Sequence, residues 1–187
     1  MGFPDLSKAE ISVLNEHTKA EDLMELSQLL DSGAEIGLMS DAGCPGIADP
    51  GDAVVKIAHQ KGIEVIPLSG PSSIVLSIMA SGFNGQNFAF NGYLPVDPSA
   101  RSKKLKELEL LSKKQRQAQF FIETPYRNEQ MLQAMMQQLH PDTRLFIGKN
   151  LQSDQQFIRS LSLTDWKKTG LPALGKVPVV FGLMAGE

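Results

Sequence analysis

Cysteine is nearly absent from this chain of 187 residues, and long apolar runs are missing altogether. The single thiol, Cys44, has no partner for a disulfide within the chain, which excludes a fold stapled by internal disulfides. No stretch approaches the roughly 18 apolar residues of a membrane-spanning helix, and the opening segment lacks the apolar core of a signal peptide. We therefore expect a protein of the reducing cytoplasm.

Arginine is also missing from the first 100 residues, and aromatic residues make up only 6% of the chain. That first stretch holds four lysines against thirteen acidic residues, a charge of −9, whereas residues 101–187 hold fourteen basic and eight acidic residues, a charge of +6. The split predicts two halves with different partners. The alternative is an uneven solvated surface without a function.

The first half alternates between helical and extended patterns. Apolar residues at helical spacing predict helices over residues 20–30, 52–61 and 72–80. Short apolar runs, EIGLMS and IEVIPL, predict buried strands over residues 35–40 and 63–68. This order is typical of a parallel sheet with helical crossovers.

The second half is also α/β in pattern. It predicts strands at residues 88–95, 118–124, 143–150, 156–163 and 177–184, with helices at 101–115 and 127–139. The closing strands are expected to be partly antiparallel. Turn formers crowd residues 81–87, so we place a domain boundary there, with an N-terminal cofactor-side domain at 1–84 and a C-terminal substrate and dimer domain at 85–187.

Chemistry is expected at the loops that follow the predicted strands, since ligands gather at the carboxyl ends of parallel strands. SDAGCPGIADPG, residues 40–51, has neither a P-loop nor a dinucleotide-binding spacing. Its acidic residues would repel a phosphate, while Gly43 and Gly46 allow close backbone approach. S-adenosylmethionine fits such a loop, because it is cationic, rich in donors and free of phosphate. The alternative is a tight turn in which Asp41 and Asp49 cap backbone amides.

A second loop, SGPSS, precedes the predicted helix at 72–80. Backbone N–H groups near Ser72 and Ser73 could hold a carboxylate or adenine nitrogens of the cofactor. The alternative is that one of these serines caps the helix.

Taken together, SDAGCPGIADPG, IPLSGPSS, GYLP and FIETPYR resemble the tetrapyrrole-methylase-like superfamily of S-adenosylmethionine-dependent methyltransferases. The order and wording are closest to the branch that methylates ribose 2′-hydroxyls of small-subunit ribosomal RNA, and NEHT resembles a histidine-containing stretch of that branch. The resemblance implies two α/β domains, a mostly parallel sheet in the first and a mixed sheet in the second. It also implies a cofactor cleft between the domains and a homodimer.

The resemblance assigns residues to the cofactor site. These are Asp41, Ala42, Gly43, Cys44, Ile47, Ser72, Ser73 and Ile122, with Glu123 closing the site. Cys44 stands where the family usually has threonine, which weakens a hydroxyl hydrogen bond. The family also opens with a strand, a loop that contains proline and glycine, and then another helix and strand. The resemblance implies that this chain begins after them, as an N-terminally truncated member. We therefore expect weak cofactor binding and pairing of an unpaired strand with a second copy.

Ribose methylation needs a base, because a hydroxyl is a poor nucleophile until its proton leaves. Glu123 is the favoured candidate, with Asp41 and His17 as alternatives. An ion pair between Glu123 and Arg127 is an equally good interpretation of ETPYR. No cluster of histidine, cysteine and acidic residues has metal-ligand spacing, so no metal is expected.

RSKKLKELELLSKKQR, residues 101–116, holds seven basic and two acidic residues. On a helix it would present a cationic face suited to RNA phosphates. The candidate RNA contacts are Lys103, Lys104, Lys113, Lys114 and Arg127. The alternative is a solvated helix, salt-bridged through Glu107 and Glu109.

Three functions are therefore open at this point. The first is an RNA methyltransferase that modifies the small ribosomal subunit. The second is a methyltransferase of the same fold that acts on a tetrapyrrole or another small molecule. The third is a non-catalytic dimeric remnant of such an enzyme.

Overall fold

The computed structural model describes residues 9–186 of the chain. These residues form two compact units, residues 9–71 and residues 72–186. Across the described residues, no helix is both long and apolar enough to cross a membrane.

The first unit is built on two helices, α1 (Ala20–Asp31) and α2 (Asp52–Gln60), which pack against each other. Lys61, at the end of α2, forms an ion pair with Asp31 at the end of α1, with Nζ 2.6 and 2.7 Å from the two carboxylate oxygens. Both helices end in a left-handed glycine, Gly33 with φ +85° and Gly62 with φ +68°. In each case the glycine N–H and the next N–H return to carbonyls of the last turn, which is the Schellman arrangement.

The strands predicted at 35–40 and 63–68 are not formed. Both segments lie outside helix and strand, and no backbone hydrogen bond joins one to the other among the described residues. Met39, Ile66 and Leu68 point to solvent, at 82%, 69% and 86% exposed. The parallel sheet predicted for the first domain is therefore absent from residues 9–71. Apolar residues of strand type form a strand only where a neighbouring strand accepts their backbone hydrogen bonds.

The second unit contains the rest of the regular structure. Its helices are α3 (Ser73–Ser81), α4 (Pro98–Gln115), α5 (Asn128–Gln138) and α6 (Leu163–Thr169), with a short 3-10 helix at Pro125–Arg127. Its strands are β1 (Phe88–Tyr93), β2 (Ala118–Ile122), β3 (Arg144–Lys149), β4 (Phe157–Ser162) and β5 (Val179–Met184).

These five strands form one sheet in the order β1-β2-β5-β3-β4. β1 and β2 are parallel and are connected by α4, while β5 runs antiparallel to both β2 and β3, and β4 antiparallel to β3. The α/β class and the mixed sheet predicted for the second half are confirmed. β5 inserts between β2 and β3, so the last strand of the chain completes the centre of the sheet.

Side chains alternate between two cores, because successive residues of a strand point to opposite faces. Phe121, Leu145 and Phe181 point to the face covered by α4, α5 and α6. Phe120 and Phe146 point to the other face, where Ile78 of α3 and Phe83 of the turn after α3 pack on them. At Gly182 of β5, an added Cβ would lie 2.8 Å from the Phe120 ring, so glycine is required for this close packing.

Two placements differ from the sequence expectation. Helix α3, assigned to the first domain, packs on β4 and β5 of the second unit. The turn-rich segment at 81–87 is held within the same unit, since the Asn84 and Asn87 side-chain amides donate to the Arg116 and Gln115 carbonyls at 3.0 and 2.8 Å.

Helix α6 was not predicted from the sequence, because its seven residues are too few to show a helical apolar pattern. It is fixed by Ser162, whose Oγ accepts a hydrogen bond from the Asp165 N–H at 3.0 Å. Trp166 anchors it from inside, donating from Nε1 to the Leu145 carbonyl at 2.9 Å.

Candidate functional site

The acidic glycine loop, residues 40–51, is a compact turn of the first unit. The Gly46 N–H donates to the Pro50 carbonyl at 3.3 Å, and the Ile47 N–H donates to the Cys44 carbonyl at 3.3 Å. Ser40 Oγ donates to the Ala42 carbonyl at 2.9 Å. The loop therefore holds its shape through its own short-range hydrogen bonds.

Four of its residues have positive φ: Gly43, Gly46, Ala48 and Gly51. Glycine adopts this region without a steric penalty, whereas Ala48, at φ 56°, does so at some cost. Gly51 is the tightest point. An added Cβ there would lie 3.3 Å from the Gly46 N and 3.6 Å from Leu38.

The predicted cofactor residues of this loop lie mostly at its surface. Asp41, Ala42 and Gly43 are exposed, and Ile47 is 50% exposed. The Asp41 carboxylate makes no hydrogen bond or ion pair within residues 9–186. The loop thus presents a free carboxylate next to open backbone.

Cys44 is half-buried, and its thiol donates to the Pro71 carbonyl with Sγ 3.3 Å from the oxygen. This contact ties the acidic loop to the end of the segment that carries SGP. Gly70 lies against the same sulfur, since a Cβ added there would be 3.8 Å from Sγ. Cys44 therefore joins two of the motifs within one unit.

A broad open depression of about 750 Å³ lies beside the loop. Pro45, Gly46 and Ile47 line one side, and α2 lines the other with Asp52, Val55, Lys56, His59 and Gln60. The α2 wall of the depression was not predicted, because the polar residues of α2 have the pattern of an ordinary solvated face.

In the second unit, Ser72 is the N-cap of α3, and its Oγ accepts a hydrogen bond from the Val75 N–H at 3.4 Å. Ser73, the first helical residue, is exposed. The capping role that we considered as the alternative is thus present, and it occupies the Ser72 hydroxyl.

Glu123 follows β2 directly and is 4% exposed. Its Oε1 accepts hydrogen bonds from the Thr124 N–H at 2.6 Å and from the Arg127 guanidinium. The ion pair with Arg127 is therefore formed. Glu123 Oε2 and Arg127 Nη1 are buried and have no hydrogen-bond partner among the described residues.

The two remaining candidates, Ile122 and His17, lie in different places. Ile122 is half-buried at the end of β2 and packs against the core that contains Phe120. His17 is a surface residue whose Nε2 lies 3.6 Å from the Glu16 carboxylate. Within residues 9–186, no group of three or more histidine, cysteine or acidic side chains could hold a metal ion.

Helix α4 carries the basic segment in two distinct environments. Lys103, Lys113 and Lys114 are exposed, and none has a carboxylate within 4 Å among the described residues. Lys106, which is not among the predicted RNA contacts, lies on the same exposed face. Lys106 is three residues from Lys103 and seven from Lys113, and residues at these spacings lie on one face of an α-helix.

The acidic residues of α4 have structural partners. Glu107 pairs with Lys104 at 2.7 Å, so Lys104 is not a free cation. Glu109 accepts hydrogen bonds from the His140 N–H at 2.7 Å and from the Thr143 hydroxyl. Arg127 is likewise engaged with Glu123. Two of the five predicted RNA contacts therefore already have protein partners.

Comparison with known proteins identifies the family of the chain. No family model matches it. It is 31% identical over 177 residues to the ribosomal RNA small subunit methyltransferase I of Thermotoga maritima, a match that covers 92% of this chain and 76% of that protein. The chain belongs to this methyltransferase family.

Other family members match over part of their length. The Vibrio cholerae protein of the same name is 33% identical over 152 residues, which cover 81% of this chain and 51% of that protein. The Bacillus subtilis protein is 36% identical over 146 residues, covering 78% and 48%. The chain spans about half the length of these curated relatives.

The solved structures agree on the fold. The methyltransferase CobJ superposes with a TM-score of 0.58 at 17% identity, over 89% of this chain and 71% of that chain. Diphthine synthase superposes with a TM-score of 0.52 at 17% identity, over 90% and 68%.

Proposed function

We propose that the protein is an S-adenosylmethionine-dependent methyltransferase that modifies a ribose 2′-hydroxyl of small-subunit ribosomal RNA. The observation that carries the proposal is the family membership, supported by the acidic loop at residues 40–51. We also infer that the protein is a homodimer in the cytoplasm.

The loop suits this cofactor because it presents a carboxylate and glycine backbone that a ligand can approach closely. Asp41 offers a carboxylate with no protein partner among residues 9–186, and Gly43 and Gly46 have no Cβ to block a ligand. Ala42 and Cys44 would flank the cofactor, with Ile47 as an apolar contact. Ser73 and Ile122, which belong to the second unit, stay predicted cofactor contacts. The Ser72 hydroxyl would stay on its capping bond.

When bound, the cofactor supplies an activated methyl group on a good leaving group. The residues of the protein then need only to orient the ribose oxygen, exclude water and accept its proton. We assign the proton to Glu123 Oε2. Arg127 and Thr124 donate hydrogen bonds to Oε1, which fixes the orientation of the carboxylate. Oε2 has no hydrogen-bond partner among the described residues.

The exposed lysines of α4 would hold the RNA backbone. Lys103, Lys106, Lys113 and Lys114 form one face without intramolecular ion pairs in the described residues. Such a face binds phosphates without reading sequence. The nucleotide that is modified would be selected elsewhere.

Methyl transfer tests the proposal directly. The full chain is incubated with methyl-labelled S-adenosylmethionine and unmodified small ribosomal subunits, and in parallel with a porphyrinogen. We expect label in the RNA, recovered after digestion as a 2′-O-methylnucleoside. Label on a base, or on the porphyrinogen alone, would contradict the assignment, and cofactor binding without any transfer would favour a non-catalytic remnant.

Glu123→Gln sharpens the role of the base. The variant retains the shape of the side chain but cannot accept the proton, so we expect transfer to fall by about 10²–10⁴-fold while cofactor binding persists. Arg127→Met, which removes the cation and keeps the Glu123 carboxylate, is the matched control for loss of the buried ion pair. If both variants lose activity only in proportion to a lowered Tm, the role of Glu123 is structural.

A further inference from the structure

Arg101 is a buried arginine without a counter-ion among the described residues. It lies on α4 at 7% exposed, in line with the buried residues Leu105, Leu108 and Ser112. Its Nε is buried without a hydrogen-bond partner, and no carboxylate of residues 9–186 lies within 4 Å of the guanidinium. A buried charge without compensation is costly, so an arginine is expected here only if it serves something other than packing.

The position of Arg101 on the helix adds to this cost. It lies in the first turns of α4, after Pro98 and the N-cap Asp97, whose Oδ1 accepts the Ala100 N–H at 2.8 Å. A cation is unfavourable near a helix N-terminus, whereas an anion is stabilised there. The hydrogen bond from Arg101 Nη1 to the Val96 carbonyl is long, at 3.5 Å. An anion near this end of α4 would satisfy the guanidinium and the helix together.

Arg101 lines an open groove of about 390 Å³ between α4 and α5. Pro98 and Ser102 belong to the α4 wall. The α5 wall carries Gln130, Gln133 and Gln137, whose spacing of three and four places them on one helix face. Side-chain amides both donate and accept hydrogen bonds, as does a ribose hydroxyl.

Glu129 is the acidic residue among the described side chains that line the groove, and its carboxylate is already engaged. Its Oε1 accepts hydrogen bonds from the Leu174 and Gly175 N–H groups at 2.7 and 3.3 Å. It therefore serves the loop that follows α6 rather than Arg101.

We propose that the α4–α5 groove binds a segment of single-stranded RNA, with a backbone phosphate on Arg101 and sugar hydroxyls or base edges on the glutamine row. This rests on the proposed function, since an RNA substrate is what makes phosphate the expected anion. Arg101 lies on the buried side of α4 with Leu105 and Leu108, so it is not part of the exposed lysine face.

The test uses the full chain and a fluorescent single-stranded oligoribonucleotide, with binding followed by anisotropy over a range of salt concentrations. Arg101→Met should weaken binding about 10- to 100-fold, as expected for one charge-assisted contact. The slope of log K against log salt should fall in magnitude by about 0.7. Lys167→Met, which removes one exposed cation from α6, should change neither by a comparable amount.

Thermal unfolding distinguishes a binding role from a structural one. If Arg101 serves a ligand, Arg101→Met should leave the Tm of the free protein unchanged or raise it, because methionine fills the site without a buried charge. Inorganic phosphate should raise the Tm of the wild type, relative to chloride at equal ionic strength, and should not raise that of the variant. A large fall in Tm for Arg101→Met would overturn the proposal in favour of a structural role.

The glutamine row has its own signature. Gln133→Ala should weaken RNA binding without changing the salt slope, because an amide displaces no counterion. It should also narrow the preference for RNA over DNA of the same sequence, since the 2′-hydroxyl is the group that differs.

The outcomes separate this inference from the proposed function. RNA binding through Arg101 in a protein that transfers no methyl group would support the groove and contradict the enzyme. Methyl transfer to ribosomal RNA with unchanged affinity and salt slope in Arg101→Met would do the reverse. A phosphate effect on Tm without RNA binding would overturn the RNA assignment.

Discussion

The two units bury their apolar side chains to very different extents. In residues 9–71, the buried hydrophobic residues are Leu30, Val54 and Ala58. In residues 72–186, a five-stranded sheet carries aromatic and aliphatic side chains at or near zero exposure on both faces. The difference teaches that helices of the first unit form from local signals, whereas its strand-like segments need partners that residues 9–71 do not supply.

The largest contrast is expected in amide hydrogen exchange. Amides of β2, β3 and β5 should exchange about 10³-fold or more slowly than those of residues 36–40 and 64–68 in dilute protein, because only the former lie in a paired sheet. Exchange measured by mass spectrometry checks this. Protection of residues 64–68 that grows with protein concentration would indicate pairing with a second copy, whereas rapid exchange in β3 would contradict the comparison.

Core truncation should show the next largest effect. Phe181→Ala removes a fully buried ring that stacks on Phe121 at 5.8 Å, and we expect a decrease of about 3–5 kcal/mol in the free energy of unfolding. Leu68→Ala, in the exposed segment of the first unit, should change it by about 0.5 kcal/mol or less. Circular dichroism reports unfolding of the helices in both units, and Trp166, the only tryptophan of the chain, reports unfolding of the second unit by fluorescence. Equal decreases for both variants would show that Leu68 is covered in solution.

The acidic loop is the feature that sets the first unit apart chemically. Asp41→Ala should weaken S-adenosylmethionine binding about tenfold or more, as expected for removal of one charged contact, with the fold preserved. Calorimetric titration measures the affinity, and Glu35→Ala, an exposed acidic residue outside the loop, is the control. Unchanged affinity in Asp41→Ala would remove the loop from the cofactor site.

The exposed lysine face of α4 gives the second unit its opposite charge. Replacing Lys103, Lys106, Lys113 and Lys114 by glutamine should lower the salt slope of RNA binding by about 0.7 for each phosphate that the face no longer neutralises. Lys104→Gln should have less effect, because Lys104 is paired with Glu107. An unaltered slope after all four replacements would exclude this face from RNA binding.

The smallest expected effect concerns the cap of α6. A hydrogen bond from the Ser162 hydroxyl, together with Lys168, lowers the pKa of Asp165 below 3.8. The carboxylate therefore stabilises the folded state above about pH 3.8, and this contribution is lost as pH falls through the lower folded-state pKa. In Asp165→Asn the corresponding difference from wild type should vanish at the acid end, as followed by Tm against pH. A difference that persists below this range would point to another role for Asp165.

Much of the fold could be predicted from local patterns. Helices α1, α2, α3, α4 and α5 lie within a few residues of the predicted bounds, because apolar spacing and caps such as Ser72 and Asp97 act over one or two turns. The strands of the second unit were also recognised. The motif at 40–51 placed the chain among methyltransferases, and the similarity to known proteins confirms that family.

Contacts that join distant residues were outside the reach of the pattern. Cys44 meets the Pro71 carbonyl, and β5 completes the middle of a sheet begun almost a hundred residues earlier. Burial of Arg101 could not be read from RSKKLKEL, where it looks like one more cation of a basic run. Arg101 is buried because it lies on the same face of α4 as Leu105, Leu108 and Ser112, the face that packs on the sheet.

The sequence by itself determined the helices, the strand-forming segments of the second half and the chemical character of the acidic loop, since each depends on residues adjacent in the chain. Only the tertiary structure decided which strand-like segments pair, which lysines remain free and which charges are buried. Pairing and burial depend on the strands and helices that pack against each segment. Those elements come from distant parts of the chain, and they set the hydrogen bonds, the desolvation and the packing.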